Sequence, residues 1–344
     1  MGKQFRNDYC ELAHPLVLEA LNKYSSEQNE AYGLDNHSEN AANKIKEIFG
    51  APNSDVHFIA GGTQTNLLMI SYTLKHFEGV ISADTGHINV HETAAVEGSG
   101  YKIITIPNVN GKITSQQVAD KVAYFHNDEH MVKPRMVYIS NSTETGTIYT
   151  KQELKDLYKV CKDNNLYFYI DGARLGSALT SKENDLKPNE IGSLCDAFYI
   201  GGTKNGLLFG EALVINNPVL KESFRFHIKN KGAMLAKGYA IGIQFETIFT
   251  NNLYFDLARK TNETADYLKE GLVNIGVDII PSPTNQVFAT FPKEEAEIYI
   301  DEFGCELWID RDDTLTIRFV TSFLTNKEDV DYLLNFIKEK RSKK

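Results

Sequence analysis

Ala197-Phe198-Tyr199-Ile200-Gly201-Gly202-Thr203-Lys204-Asn205-Gly206 is a short apolar run that stops in glycines around a single lysine. Such a run, bounded by turn residues, reads as a buried strand, and the glycines let a ligand or another stretch of chain come close to the lysine. Two upstream segments share the design. Leu166–Ile170 ends in Asp171-Gly172-Ala173-Arg174, and Val56–Ala60 ends in Gly61-Gly62-Thr63-Gln64-Thr65-Asn66. In an open parallel sheet ligands bind beyond the carboxyl ends of the strands, so these three endings are candidate site positions. Each has a plain reading as well: a solvated loop lysine, an aspartate capping a helix, a strand-to-helix turn.

Gly79–Ser82, Lys102–Ile106, Met136–Ser140 and Glu211–Ile215 read as further buried strands. Thr150-Lys151-Gln152-Glu153 has the form of a capping box, and Leu154, Leu157, Tyr158 and Cys161 then recur at helical spacing. Strands alternating with helices predict an α/β fold with a mostly parallel sheet. After about Leu235 the texture changes to a long helical region through Leu272, with candidate strands Val277–Ile280, Gln286–Phe291, Glu306–Asp310 and Thr314–Phe319 and a last helix from Lys327. This predicts a smaller α+β lobe, with residues 15–245 as the large domain and 1–14 together with 246–344 as the small one.

The chain has 344 residues, enough for two packed lobes. Its 46 acidic against 36 basic residues give a net charge of −10, which argues against a nucleic-acid or anionic-membrane surface. Cys10, Cys161, Cys195 and Cys305 are scattered without a CxxC pair, so neither a metal site nor a disulfide framework is expected. No apolar stretch approaches the ~18 residues of a membrane span, and the first residues lack a basic segment followed by an apolar one. A cytoplasmic protein acting on a small molecule is the expectation.

Taken together, the three strand endings supply what one cofactor needs. Pyridoxal phosphate requires an anion cradle, a carboxylate that keeps its ring nitrogen protonated, and an amine for a Schiff base. Glycines at a helix start meet the first need, Asp171 the second and Lys204 the third. Neither GxGxxG nor GxxxxGK[ST] is present, which counts against a nucleotide-dependent oxidoreductase.

The chain also resembles the threonine aldolase and β-eliminating lyase group of fold-type-I (aspartate aminotransferase-like) pyridoxal phosphate enzymes. The matching pieces occur in that family's order: RNDYCELAHPLVLEAL (6–21), AYGLDNHSENAANKIKEIFG (31–50), GGTQTN (61–66), DTGHINVHE (84–92), STETGTIYTKQEL (142–154), DGARLGSA (171–178), GGTKNGLLFGEA (201–212) and IRFVTSF (317–323). The resemblance implies that Lys204 forms the Schiff base, Gly62 and Thr63 hold the phosphate, Asp171 meets the ring nitrogen and His87 stacks on the ring. It also implies that Arg174 and Arg318 bind the substrate carboxylate. Arg318 is suggestive by itself, because it interrupts the β-patterned run Thr314–Val320 and a guanidinium matches a carboxylate bidentately.

Two positions depart from the family pattern. Asn7 stands where these enzymes usually carry a serine that contacts the substrate carboxylate, and Glu144 stands where many carry a histidine near the substrate hydroxyl. The implied activity is retro-aldol cleavage of a β-hydroxy-α-amino acid to glycine and an aldehyde. β-Elimination, racemisation, transamination and a non-catalytic, regulatory pyridoxal phosphate protein stay open at this point. A homodimer or homotetramer is implied too, with the basic segment Phe224–Lys237 reaching toward a neighbouring subunit.

Overall fold

The computed structural model describes residues 3–126 and 128–342. Its larger sheet has seven strands, β1 (Asp55–Ile59), β2 (Glu78–Ala83), β3 (Lys102–Ile106), β4 (Lys133–Ser140), β5 (Tyr167–Asp171), β6 (Ala197–Gly201) and β7 (Glu211–Ile215), in the order β1-β7-β6-β5-β4-β2-β3. From β3 to β6 every pairing is parallel. β7 alone runs the other way, antiparallel to both β6 and β1. The sheet is therefore mostly parallel, as the alternating pattern predicts. Strands covered on both faces are mostly apolar, and β2, β6 and β7, buried throughout, stood out in the sequence for that reason, with Glu78, Ser82 and Glu211 as polar exceptions.

The helix after the Thr150 capping box spans Lys151–Asp163. The Thr150 hydroxyl accepts from Glu153 N at 3.2 Å, and the Glu153 carboxylate accepts from Thr150 N at 2.7 Å. Its buried stripe, Leu154, Leu157 and Cys161, packs on the sheet in one core with Ile139, Phe168 and Phe198. Fully burying a leucine contributes roughly 1.5–3 kcal/mol.

The second sheet is antiparallel, β10 (Glu306–Asp310), β11 (Thr314–Val320), β9 (Gln286–Pro292) and β8 (Asp278–Ile280) in that order. Its own core includes Phe5, Leu268, Phe291, Phe319 and Ile337. Phe5 is tied in through its backbone, donating to Phe303 O at 2.9 Å and accepting from Val320 N at 2.8 Å. The first residues thus belong with the C-terminal sheet.

The long helical region expected from Leu235 divides in two, Tyr239–Ile248 and Leu253–Asn274. The break falls at Asn251 and Asn252, whose φ values of 52° and 64° are left-handed. Asparagine tolerates that conformation better than most residues, so the pair ends one helix and starts the next at a new angle. The second helix bridges both cores, with Tyr254 and Leu257 in the large one and Ala265, Leu268 and Leu272 in the small one.

Candidate active site

Because β4, β5 and β6 run in parallel, Ser140, Asp171 and Gly201 come to the same edge of the sheet. There a cavity of about 250 Å³ opens between the two sheets. Lys204, Asp171, His87, Glu144, Arg174 and Arg318, drawn from five separate segments, all line it.

Asp171 ends β5 and is 2% exposed. Its Oδ2 accepts from Tyr138 at 2.7 Å and from Asn66 Nδ2 at 2.9 Å, while Oδ1 accepts from Ala173 N at 3.0 Å. Burial by itself raises this carboxyl's pKa, but the nearby His87 and the donors Tyr138, Tyr199 and Asn66 outweigh it and hold it below the usual carboxylate range. Asp171 therefore stays ionised in the wall of the cavity. It does not cap the following helix, Leu175–Thr180, whose N-cap is Arg174.

Asn66 relays this network to His87. It accepts from Tyr169 at 3.0 Å and donates to Glu92 Oε1 at 2.8 Å, and the same oxygen lies 2.8 Å from His87 Nδ1. Glu92 is fully buried at the side chain, so it fixes the imidazole from behind and leaves the ring turned to the cavity. The ligand-type atoms of His87, Glu92 and Asp171 lie within 4.8 Å of one another. Hydrogen bonds through Asn66 and the His87 ring already link the three.

Glu144 is also buried, at 9% exposure. Its Oε1 accepts from the Ser140 hydroxyl at 2.6 Å and from His87 N at 3.0 Å. Burial raises its pKa, Ser140 and its own backbone N–H pull the other way, and the charge of Asp171 raises it again. The balance lies above an ordinary carboxylic acid, so this group can accept a proton from a neighbour.

Lys204 follows β6 in a single 3₁₀ turn, Thr203–Asn205. The glycines around it have physical reasons. A Cβ on Gly202 would lie 2.5 Å from Gly210 O, and Gly206 has a left-handed φ of +95°. Loss of solvation and then the neighbouring Arg174 lower the lysine pKa, against Asp8, Asp171 and Glu211. The amine sits 5.9 Å from the Tyr9 ring centre.

The two arginines are held differently. Arg174 is gripped by Asp8, Nε to Oδ2 at 2.7 Å and Nη2 to Oδ1 at 3.0 Å, and Asp8 is further fixed by Asn285 at 2.9 Å. Arg318 lies on β11, an interior strand of its sheet rather than an edge. It donates to Gln286 Oε1 at 2.9 Å, pairs with Glu306 and lies against Trp308, while its buried Nε has no partner among the described residues. Both arginines line the cavity.

Gly62 and Thr63 open the helix Gly62–Thr73, whose N-cap is Gly61 and which has no side-chain cap. Its first N–H groups are unsatisfied by any capping side chain, an arrangement that takes an anion. Neither residue lines the cavity that holds the others. Asn7 does not line it either: its Oδ1 accepts from Tyr9 N at 3.1 Å and from Cys10 Sγ at 3.2 Å, closing a turn that presents Tyr9 to the cavity instead.

Several members of the site escaped the sequence reading: Asp8, Tyr9, Asn66, Glu92, Glu211 and Glu306. Asn66 lay inside the glycine-rich segment already singled out, and Glu92 follows His87 at a spacing of five, but neither signal is specific.

An uncapped helix start, a carboxylate kept ionised and a lysine with a lowered pKa fit pyridoxal phosphate group by group. The fold and the site define a pyridoxal phosphate enzyme of the aspartate aminotransferase-like class. A Thermus thermophilus aspartate aminotransferase mutant shares the fold at a TM-score of 0.70 and 14% identity, over 98% of this chain and 94% of that one.

The β-eliminating lyase family model matches residues 15–294, and the chain belongs to that family. A low specificity L-threonine aldolase from Pseudomonas sp. (strain NCIMB 10558) is 30% identical over 296 residues, covering 83% of this chain and 84% of that protein. The solved threonine aldolase of Leishmania major is 42% identical with a TM-score of 0.94, covering 98% of this chain and 99% of the other.

Proposed function

We propose that this enzyme cleaves a β-hydroxy-α-amino acid of the threonine or allo-threonine type into glycine and an aldehyde, by retro-aldol opening of the Cα–Cβ bond. The observation that carries the reading is Glu144, a buried carboxyl with a raised pKa on the cavity wall, set against Ser140 and His87. Retro-aldol chemistry needs a base for the β-hydroxyl proton. The similar Pseudomonas and Leishmania major proteins are named as threonine aldolases, which supports the same reading.

Bound pyridoxal phosphate supplies the electron sink for the pair released at Cα. The protein's own groups do the rest. Lys204 is the amine that would hold the cofactor, and burial, by lowering its pKa, favours the free nucleophilic form. The uncapped helix start at Gly62 and Thr63 would hold the phosphate, the ionised Asp171 would keep the ring nitrogen protonated, and His87, braced by Glu92, would support the cofactor from the cavity wall. Arg174 and Arg318 take the substrate carboxylate, while Asn7 closes the turn that holds Tyr9 against the cavity. Glu144 accepts the β-hydroxyl proton directly or through water.

Incubation with threonine, allo-threonine, phenylserine and serine, with the products identified, tests the reaction. Glycine plus the matching aldehyde is expected. Keto acid from serine and threonine, with no aldehyde, would replace the proposal by β-elimination.

The two-lobe division at 15–245 and at 1–14 with 246–344 belongs to the same reading, supported by the backbone pairing of Phe5 with Val320. So does a cytoplasmic location; among the described residues no helix is long and apolar enough to cross a membrane. A homodimer or homotetramer is proposed as well. Tyr32, Leu34, Leu235 and Phe226 are apolar and exposed, and Tyr32 N bonds Ala236 O, joining two of these segments into one face. The Lys229 ammonium lies 4.6 Å from the Tyr32 ring, which places the basic segment Phe224–Lys237 on that face. Sedimentation at assay concentration is expected to show a dimer or larger, and a fully active monomer would contradict it.

A further inference from the structure

We propose that Glu211 is a positioning residue for Lys204, a buried carboxyl that fixes the Gly202–Lys204 turn and tunes how readily the lysine amine takes up a proton. The inference rests on the reading that Lys204 carries the cofactor. Glu211 is the first residue of β7, and because that strand runs against its neighbours it begins at the ligand-binding edge. It pairs with Gly201 of β6 on one side and Ile59 of β1 on the other. The carboxyl therefore stands between the Lys204 turn and the glycine loop that opens at Gly61.

Its side chain is buried, the residue being 5% exposed. Gly202 N donates to Oε2 at 2.9 Å, and the Thr203 hydroxyl donates to the same carboxyl. Both donors belong to the turn that presents Lys204. A carboxylate is costly to bury, so this one is accounted for by what it holds.

The charged and titratable groups facing it are Lys204 on the turn, Asp171 at the end of β5, and the phenols of Tyr169, Tyr199 and Tyr254. Burial pushes the Glu211 carboxyl up to about 7, against the pull of Thr203, Gly202 N–H and Lys204. Near neutral pH a proton on Glu211 thus changes the charge beside the amine. Ionised Glu211 favours the protonated nitrogen on Lys204, and neutral Glu211 favours the free base.

Glutamine keeps a carbonyl acceptor for Gly202 N–H and removes the charge. The test is to load wild type, Glu211→Gln and Glu211→Ala with pyridoxal phosphate and follow the visible band of the bound cofactor against pH, without substrate. In Glu211→Gln the midpoint is expected to fall by about one pH unit, a tenfold change in the protonation equilibrium. Glu211→Ala should show the same fall together with weaker cofactor retention, since the turn loses its tie. A Gln variant with the wild-type midpoint overturns the proposal. Should that variant fail to retain the cofactor, the pH dependence of Lys204 modification by an amine reagent in the apoproteins gives the same comparison. A lower midpoint in the variant supports the role, and an equal one overturns it. Borohydride labelling of a lysine other than Lys204 would defeat the functional reading, whereas Lys204 labelling with an unchanged midpoint defeats this inference alone.

Discussion

Glu144→Gln is expected to lower retro-aldol turnover by about 10²–10⁴-fold, the usual loss when a general base is removed. Glutamine is nearly isosteric and retains a carbonyl oxygen for the Ser140 hydroxyl and His87 N, so the cavity wall should hold its shape. What it loses is the ability to take a proton. Cofactor binding and exchange of the glycine α-proton with solvent deuterium should survive, because neither involves a β-hydroxyl. The pH profile gives an independent check. Burial raises the Glu144 pKa, so the rate should fall, as pH drops, at a pH above the ordinary carboxylate range. The Gln variant should lack that acidic limb. Unchanged rate and profile would return Glu144 to a structural role and move the search for the base to His87 or a bound water.

Arg318→Leu is expected to weaken glycine binding by tens- to thousands-fold, since truncating one partner of a buried charge pair costs roughly 2–5 kcal/mol. The cofactor should stay in place, because no group assigned to it lies on β11. Spectral titration with glycine reads the affinity directly. Arg318 is suited to the task by its surroundings: Gln286 and Glu306 fix the guanidinium, Trp308 supports it, and its Nε has no protein partner among the described residues. Arg318→Lys keeps the charge but loses the planar fork, and should recover only part of the affinity. Wild-type glycine affinity in the Leu variant would show that Arg174 alone holds the carboxylate.

Parts of this site were legible in the sequence for a definable reason. Parallel strands buried on both faces are uninterrupted apolar runs, and the residues that follow them sit at the binding edge; Asp171 and Lys204 were therefore visible from their place in the chain. Their partners were not. Asp8 meets Arg174 across 166 positions and Asn66 meets Asp171 across 105, and no local pattern encodes such pairings. Strand direction was hidden too, since β7 is as buried as the parallel strands of the same sheet, and with it the arrival of Glu211 at the edge. The helix break at Asn251-Asn252 did carry a signal, two adjacent residues suited to left-handed backbone, but the helical spacing on either side masked it.

The central claim is that Lys204 holds pyridoxal phosphate in this cavity. Reduction of the cofactor-loaded protein with borohydride, followed by proteolysis and peptide mapping, tests it most directly. One phosphopyridoxyl label is expected, on the peptide containing Lys204, and it should be lost in Lys204→Ala. A label on another lysine, or a protein that stays colourless and unlabelled when pyridoxal phosphate is supplied, would contradict it.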